Sequence, residues 1–421
     1  MPNHQRHCDI FCKVIDNLGD AGVCWRLARQ LHAEHGWRIR LFIDQPDTLT
    51  RLAPDTQPDD SFQIRPWHHA DDVASAPEVV IEAFGCALPE TYVQRVARAV
   101  SAPPVINLEY LSAEAWVAGC HRLPSPGATA GLRKWFFFPG FTHDTGGLLR
   151  ETDYTVRRQA FRDDAFRAEF GLGPRPHCVV SMFCYPQAPL DTLFVQLDAT
   201  DNDIEVLLPG GLMSHEQRGK LRIRPLPFLP QARYDELLWA SDLNFVRGED
   251  SFVRAQLAGK PFVWQAYRQE DNAHQTKLHA FLSVFWDAES ARQPNYSRGD
   301  TARGGCASRA SAQVRDLPPG PLSGKGGDHG APVGYAASAG YGGELPPNFS
   351  GGDTAPICTS GDIAAIDAFW AAWNGDGHLD WPAFAVALPT LQAQAARWRG
   401  ELMAQSSLSE RLVAFVESIV E

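Results

Sequence analysis

The sequence predicts an α/β protein of two doubly wound domains that face a central cleft. Short apolar runs alternate with polar, helix-like segments through the first half, and a second series of the same kind begins near residue 177. Such alternation is typical of parallel strands covered by helices. The chain has 421 residues, enough for two domains that each bury a core of their own.

The first series contains the candidate strands of the N-terminal domain. They cover residues 8–15, 38–43, 62–66, 79–84 and 105–110, with an amphipathic helix over 22–34 between the first two. An aromatic run over 134–141 follows, which we interpret as core packing followed by a hinge; the alternative is a wall of the cleft. We expect the first domain to span residues 1–155.

The second series supplies the strands of the C-terminal domain, at 177–185, 204–208, 220–224, 243–246 and 262–265, with helices over 234–240 and 251–258. From residue 363 the chain is typical of helices, and Asp380-Trp381-Pro382 marks a helix start. We expect this domain to span residues 156–421, with the last helices packing across the cleft.

Residues 291–361 differ in kind from the rest of the second domain. They hold 15 of the chain's 35 glycines and have almost no apolar periodicity. Such a segment buries too little apolar surface to offset the entropy of ordering it. We interpret it as a disordered insertion or as out-of-frame translation.

The charge balance excludes several classes of partner. The formal net charge of −12 argues against a nucleic-acid surface or an anionic membrane, and favours a substrate with a cationic group. No apolar run approaches the ~20 residues of a membrane span, and the N-terminus leads into a strand rather than a signal peptide. We therefore expect a cytoplasmic protein that binds neither nucleic acid nor membrane.

The metal-binding motifs are missing as well. The nine cysteines are scattered, with no Cys-x-x-Cys pair and no neighbouring histidine cluster, so a zinc site is not indicated. We expect no metal and no cofactor.

The loop after the first strand carries two acids, Asp16 and Asp20, with Gly19 between them. Loops at the carboxyl ends of parallel strands line the ligand crevice, where the following helix presents free N–H groups. A phosphate loop would be glycine-rich and free of negative charge, whereas this loop suits a cation or removal of a proton. The structural alternative makes Asp20 an N-cap and Asp16 a turn residue.

A second charged turn follows the strand that ends at Arg247. Gly248 makes the turn, and a helix begins near Asp250 or Ser251. The guanidinium, the serine hydroxyl and the helix N-terminus together suit a diphosphate. The acids must point elsewhere, Asp250 toward sugar hydroxyls and Glu249 toward Arg247. An ordinary capped helix with a surface ion pair is the alternative.

A proline-bracketed turn over 225–231 presents one aromatic ring, Phe228, and one amide, Gln231. This pair can stack on a pyrimidine base and hydrogen-bond to it. The alternative is that Phe228 is a buried loop residue.

Five long motifs follow one another along the chain: VIDNLGD at 14–20, GVCWR at 22–26, FLPQ at 228–231, RGEDSFVRAQ at 247–256 and GKPFVWQ at 259–265. Together they closely resemble the arginine rhamnosyltransferases of elongation factor P, the EarP family. It covers roughly residues 8–288 and resumes from about 363. Leu18 and Ala21 stand where the family usually has Phe and Ile, and the segment 291–361 is the main departure.

The resemblance implies an inverting glycosyltransferase of the GT-B fold, with two Rossmann-like domains. Its donor would be dTDP-β-L-rhamnose and its acceptor an arginine of elongation factor P (EF-P). Two alternatives remain open on the sequence alone: a GT-B enzyme with another nucleotide sugar or acceptor, and a non-catalytic protein that docks on a translation factor.

The resemblance also assigns roles to individual residues. The catalytic acids would be Asp16, Asp20 and Glu249, with Asp20 as the general base. The donor-binding residues would be Phe183 and Tyr185 in the donor pocket, Phe228 and Gln231 at the thymine, and Arg247, Asp250 and Ser251 at the diphosphate and sugar.

Overall fold

The computed structural model describes residues 5–16, 18–55, 58–125, 131–176, 178–200, 202–211, 213–268, 272–286 and 359–420. Each half of the chain forms an α/β domain around a six-stranded sheet. The first sheet consists of β1 (His7–Cys12), β2 (Arg38–Ile43), β3 (Phe62–Pro66), β4 (Val79–Ala83), β5 (Val105–Leu108) and β6 (Lys134–Phe137). Its helices are α1 (Leu18–Ala33), α2 (Asp47–Leu52), the 3-10 helix Trp67–Asp72, α3 (Glu90–Val96) and α4 (Trp116–Cys120).

The second sheet consists of β7 (Cys178–Met182), β8 (Ile204–Pro209), β9 (Glu216–Arg218), β10 (Leu221–Leu226), β11 (Leu243–Arg247) and β12 (Phe262–Gln265). Two helices precede this sheet, α5 (Tyr154–Ala160) and α6 (Asp163–Glu169). Four more lie between its strands or follow them: α7 (Leu190–Asp198), α8 (Gln231–Ala240), α9 (Asp250–Ala258) and α10 (Ala273–Trp286). The chain ends with α11 (Ser360–Trp373), α12 (Trp381–Met403) and α13 (Leu408–Val420).

Both sheets have the strand order of a doubly wound fold. The first runs β3-β2-β1-β4-β5-β6 and is parallel throughout. The second runs β12-β11-β7-β8-β10-β9, with only β9 antiparallel. The order reverses beside β1 in one sheet and between β7 and β11 in the other, and ligands bind at the carboxyl ends of strands beside such a reversal. Eight of the ten residues predicted for the site lie at the ends of these three strands or in the loops and first helical turns that follow them.

The structure differs most from the sequence interpretation at two strands of the first sheet, whereas β4 and β5 only end one and two residues earlier than predicted. β1 ends at Cys12 rather than at Ile15, because the next N–H groups bind carboxylates: Val14 donates to Asp44 at 2.9 Å. The aromatic run over 134–141 begins with an edge strand that the sequence interpretation lacks, β6, paired in parallel with β5. Its phenylalanines at 136, 137, 138 and 141 are buried, which confirms the predicted core packing.

The predicted insertion over 291–361 lies outside the described residues except for its last three positions. There Thr359 and Asp362 form a capping box, in which the hydroxyl of Thr359 accepts the N–H of Asp362 at 3.1 Å. α11 therefore begins at Ser360, three residues earlier than expected. The helices on either side of the segment pack together, with the Phe281 ring stacked on Trp370 at a centroid distance of 6.0 Å.

The C-terminal helices divide between the two domains. α12 packs in the second core, whereas α13 packs in the first, where its buried side chains join those of α1 and β1. Arg411 of α13 adds hydrogen bonds to the carbonyls of Thr142 and Thr145 at 2.9 and 2.7 Å. By its packing, the first domain thus includes the last helix of the chain.

The attachment of α13 is testable with one buried leucine. Leu412 is fully buried in the first core, so Leu412→Ala should lower the free energy of unfolding by about 2–5 kcal/mol. Val420→Ala is the matched control, because Val420 is exposed at the end of the same helix. Urea unfolding followed by tryptophan fluorescence measures both. Equal small effects of the two variants would show that α13 does not stabilise this domain.

Candidate active site

Three carboxyl groups from the two domains meet at the cleft. Asp16 and Asp20 follow β1 in the first domain, and Glu249 lies in the turn between β11 and α9 in the second. All three line one cavity, together with Tyr110, Tyr267 and Lys277. We call this cavity the acidic pocket.

Asp20 is the most deeply buried of the three acids, with 3% of its surface exposed. It lies in the first turn of α1 and is not an N-cap; its carboxylate accepts the N–H groups of Ile15 and Asp16 at 2.8 and 2.9 Å. Burial raises the pKa of Asp20 to about 6, although these two hydrogen bonds oppose the rise. At neutral pH the group is therefore an ionised base with affinity for a proton.

Asp16 joins the two domains directly. Its carboxylate accepts a hydrogen bond from the Tyr185 hydroxyl, at 2.6 Å, across the cleft. Glycines provide the necessary space: a Cβ on Gly19 or Gly248 would lie 2.8 Å from the Asp16 Oδ2. Burial raises the pKa of Asp16, whereas the Tyr185 hydroxyl and the Arg247 guanidinium oppose the rise.

Glu249 completes the acidic pocket from the second domain. Its Oε2 accepts the N–H of Leu111 at 3.0 Å, which ties the turn after β11 to the loop after β5. Burial raises the pKa of Glu249 to about 8, and the nearby Asp20 adds to the rise. An incoming guanidinium cation would lower the pKa of all three acids, so the pocket is suited to such a group.

Five of the predicted donor-binding residues line an adjoining cavity: Phe183, Phe228, Arg247, Asp250 and Ser251. We call it the donor groove; Asp16 and Gly19 line both it and the acidic pocket. The two cavities therefore share a wall that contains a carboxylate.

Arg247 is held between aromatic rings at the end of β11. Its guanidinium carbon lies 4.3 Å from the ring centroid of Phe183 and 4.6 Å from that of Tyr185. Ser251 bonds to the backbone of Arg247, accepting its N–H at 3.1 Å and donating to its carbonyl. The hydroxyl thus fixes the turn in this structure, and contact with a phosphate would require it to exchange the bond that it donates.

The structure places the other predicted donor residues in contacts between the domains. Gln231 donates to the Gly22 carbonyl at 3.0 Å and to Asp250 at 3.1 Å. Phe228 is half-buried against the first core, and the guanidinium of Arg51 from α2 lies 4.6 Å from its ring centroid. All ten predicted site residues thus lie in or beside the two cavities.

Sequence reasoning did not identify the ionic network behind the donor groove. Arg26 of α1 is buried and binds Asp250 and Glu151, while Arg254 binds Asp235 and Glu151. Buried arginines on helix faces give no periodic signal, because they occupy positions where apolar residues are expected. Their place within the recognised motifs was the only available indication.

Among the residues that the structure describes, no group of three or more His, Cys, Asp or Glu side chains has the geometry to hold a metal ion. Within the same ranges, no helix combines the length and apolarity needed to cross a bilayer.

The family model for the elongation factor P (EF-P) rhamnosyltransferase EarP matches residues 8–302 of the sequence. The chain belongs to the EarP family. A protein-arginine rhamnosyltransferase of Pseudomonas aeruginosa is 36% identical, over 97% of this chain and 98% of its own length. One from Pseudomonas putida is 44% identical over 66% of this chain and 81% of its own.

A solved structure described as the basis for EarP-mediated arginine glycosylation of EF-P covers 98% of this chain and 99% of its own. It aligns with a TM-score of 0.55 at 26% identity. The predicted family and the GT-B fold class are confirmed, and so is the prediction that this member of the EarP family is a glycosyltransferase.

Gly248 offers a test of the space that glycines leave beside the Asp16 carboxylate. Gly248 and Gly171 both have φ of +61°, so alanine at either position should lose about 1–2 kcal/mol of folding free energy. Only at Gly248 would the new Cβ also meet Asp16 and Tyr185, at 2.8 and 3.0 Å; no described atom lies within 4 Å at Gly171. Turnover should therefore fall at least ~10-fold in Gly248→Ala alone. Equal turnover in the two variants, measured beside urea unfolding, would contradict this account.

Proposed function

We propose that the protein transfers L-rhamnose from dTDP-β-L-rhamnose to an arginine side chain of EF-P, with inversion at the anomeric carbon and without metal or cofactor. The observation that carries this proposal is the acidic pocket, where three carboxyl groups meet beside the donor groove. Membership of the EarP family and the described subject of the matching structure support the choice of donor and acceptor.

The acceptor explains why the pocket needs several acids. A guanidinium has a pKa far above neutral, so its complete deprotonation at pH 7 costs roughly 9 kcal/mol at 1.36 kcal/mol per pH unit. Carboxylates that bind the cation localise its charge, and one of them removes the proton as the nitrogen attacks. The complete cost of forming a free neutral guanidine is thereby avoided.

We assign the proton transfer to Asp20 and the orientation of the guanidinium to Asp16 and Glu249. One arginine nitrogen forms the bond to the anomeric carbon while the bond from that carbon to the diphosphate oxygen breaks. The arginine proton passes to Asp20, and dTDP leaves with the electron pair of the broken bond. A single displacement of this kind inverts the anomeric configuration.

The donor groove supplies the groups that the leaving diphosphate needs. Arg247 and the open N–H groups at the start of α9 offset the negative charge that grows on the departing oxygen. Ser251 lies at the same turn. Phe228 and Gln231 are assigned to the thymine and Asp250 to the sugar.

The proposal is tested by incubating the purified protein with dTDP-β-L-rhamnose and EF-P and then measuring the intact mass of EF-P by mass spectrometry. The mass of EF-P should increase by one deoxyhexose. The increase should be absent when the modified arginine of EF-P is replaced by lysine. UDP-glucose in place of dTDP-rhamnose should give no product. An unchanged mass with a folded enzyme that binds dTDP would show that the acceptor is a different molecule.

Asp20→Asn tests the general base. It keeps the shape of the side chain, so turnover should fall at least ~10²-fold while dTDP affinity stays nearly constant. In the wild type, protonation of Asp20 removes the base, so kcat/KM should fall about tenfold per pH unit below about pH 6. Calorimetry with dTDP and a pH series of initial rates provide the measurements. If dTDP binding weakened as much as turnover, Asp20 would be a donor ligand instead.

A further inference from the structure

A buried bond between the domains lies directly behind the donor groove. Arg26 of α1 belongs to the first domain and Asp250 opens α9 in the second. The guanidinium binds the carboxylate with two nitrogens, Nε to Oδ1 at 2.8 Å and Nη2 to Oδ2 at 3.3 Å. Paired bonds of this kind fix direction as well as distance.

The same carboxylate receives a third donor. The Gln231 amide binds Asp250 Oδ2 at 3.1 Å and the Gly22 carbonyl of α1 at 3.0 Å. A carboxylate offers about four acceptor positions, so a bound donor sugar finds about one position left on Asp250. Its direction is therefore determined by Arg26 and Gln231 before any ligand arrives.

Arg26 is also held by a second acid, Glu151, on the side away from Asp250. Its third nitrogen binds Glu151 at 2.7 Å, and Glu151 also accepts from Arg254 at 2.8 Å. Arg254 in turn binds both oxygens of Asp235. Arg26 and Arg254 are both buried, so neither side chain has an alternative position in water.

The location of Asp250 makes this arrangement important for the site. Glu249 and Ser251 are its neighbours in sequence, and Arg247 lies three residues before it. A shift of Asp250 therefore shifts the whole turn that carries the predicted diphosphate ligands. On the other side, Arg26 lies six residues beyond Asp20, or about 9 Å along the same helix.

The geometry points to Arg26 as a positioning residue of the donor groove, which sets the turn over 247–251 through its two-pronged bond to Asp250. The inference rests on the proposed function, since it takes a nucleoside diphosphate sugar as the ligand of that groove. According to this inference both domains form the donor site, although the residues predicted to bind the donor all belong to the second domain.

Arg26→Lys is the variant that tests the inference. Lysine keeps the positive charge in the network but is a point charge, which cannot bind Asp250 with two nitrogens and Glu151 at the same time. We expect the dissociation constant for dTDP, measured by calorimetry, to rise at least ~10-fold. The KM for dTDP-rhamnose should rise in parallel, and kcat should fall as well, because the same turn carries Glu249.

Arg157→Lys is the matched control. Arg157 belongs to the same network, where it binds Glu151 and Asp235 but not Asp250. It should leave dTDP affinity within ~2-fold of the wild type. Thermal unfolding of both variants identifies any general loss of stability, and a selective loss of affinity in Arg26→Lys separates positioning from a merely structural role.

A double-mutant cycle with Asp250→Asn completes the test. If Arg26 acts through Asp250, the double variant should bind dTDP no more weakly than Asp250→Asn alone, to within ~2-fold. The inference would be overturned if the two substitutions raised the dissociation constant for dTDP by factors that multiply in the double variant. It would also be overturned if Arg26→Lys bound dTDP as tightly as the wild type. Failure of the wild-type protein to bind dTDP would instead contradict the donor named in the proposed function.

Discussion

The buried ionic contact between α1 and α9 is the constraint on which both cavities depend. Buried ion pairs contribute little net stability compared with apolar packing, because each ion loses its hydration, but removing one partner leaves an uncompensated charge. Such a network therefore acts mainly on geometry. α1 carries Asp20 in its first turn and Arg26 farther along, and Arg26 binds the first residue of α9. One rigid helix thus relates the acidic pocket to the turn at the donor groove.

The acidic pocket holds three carboxyl groups, whereas Lys277 is the one cationic side chain among its described lining residues. Its described partners are neutral donors: the Tyr185 hydroxyl for Asp16, backbone N–H groups for Asp20, and the Leu111 N–H for Glu249. Burial disfavours the charged forms, which is why their pKa values are raised. A guanidinium reverses this balance by supplying the missing positive charge. The arrival of the acceptor and the ionisation of the acids are then linked events.

The sequence predicts the fold class, the loops that carry the candidate ligand-binding residues and the acids of the site, because these depend on local patterns and recognised motifs. It does not predict β6, since an aromatic edge strand of four residues has no alternation to distinguish it from core packing. It also leaves Asp20 ambiguous between a cap and a base, because that choice depends on the backbone that its carboxylate meets. Arg26 and Glu151 are missed because their pairing joins residues 125 apart, for which a single sequence holds no signal.

The return of α13 to the first core has a consequence for biosynthesis. The chain leaves the ribosome from its N-terminus, so the first domain emerges long before the helix that covers part of its core. Until residues 408–420 appear, the apolar surface beside α1 has no cover from its own chain. A helix made after the second sheet therefore completes the first domain, and release of the nascent chain before that helix leaves the domain open.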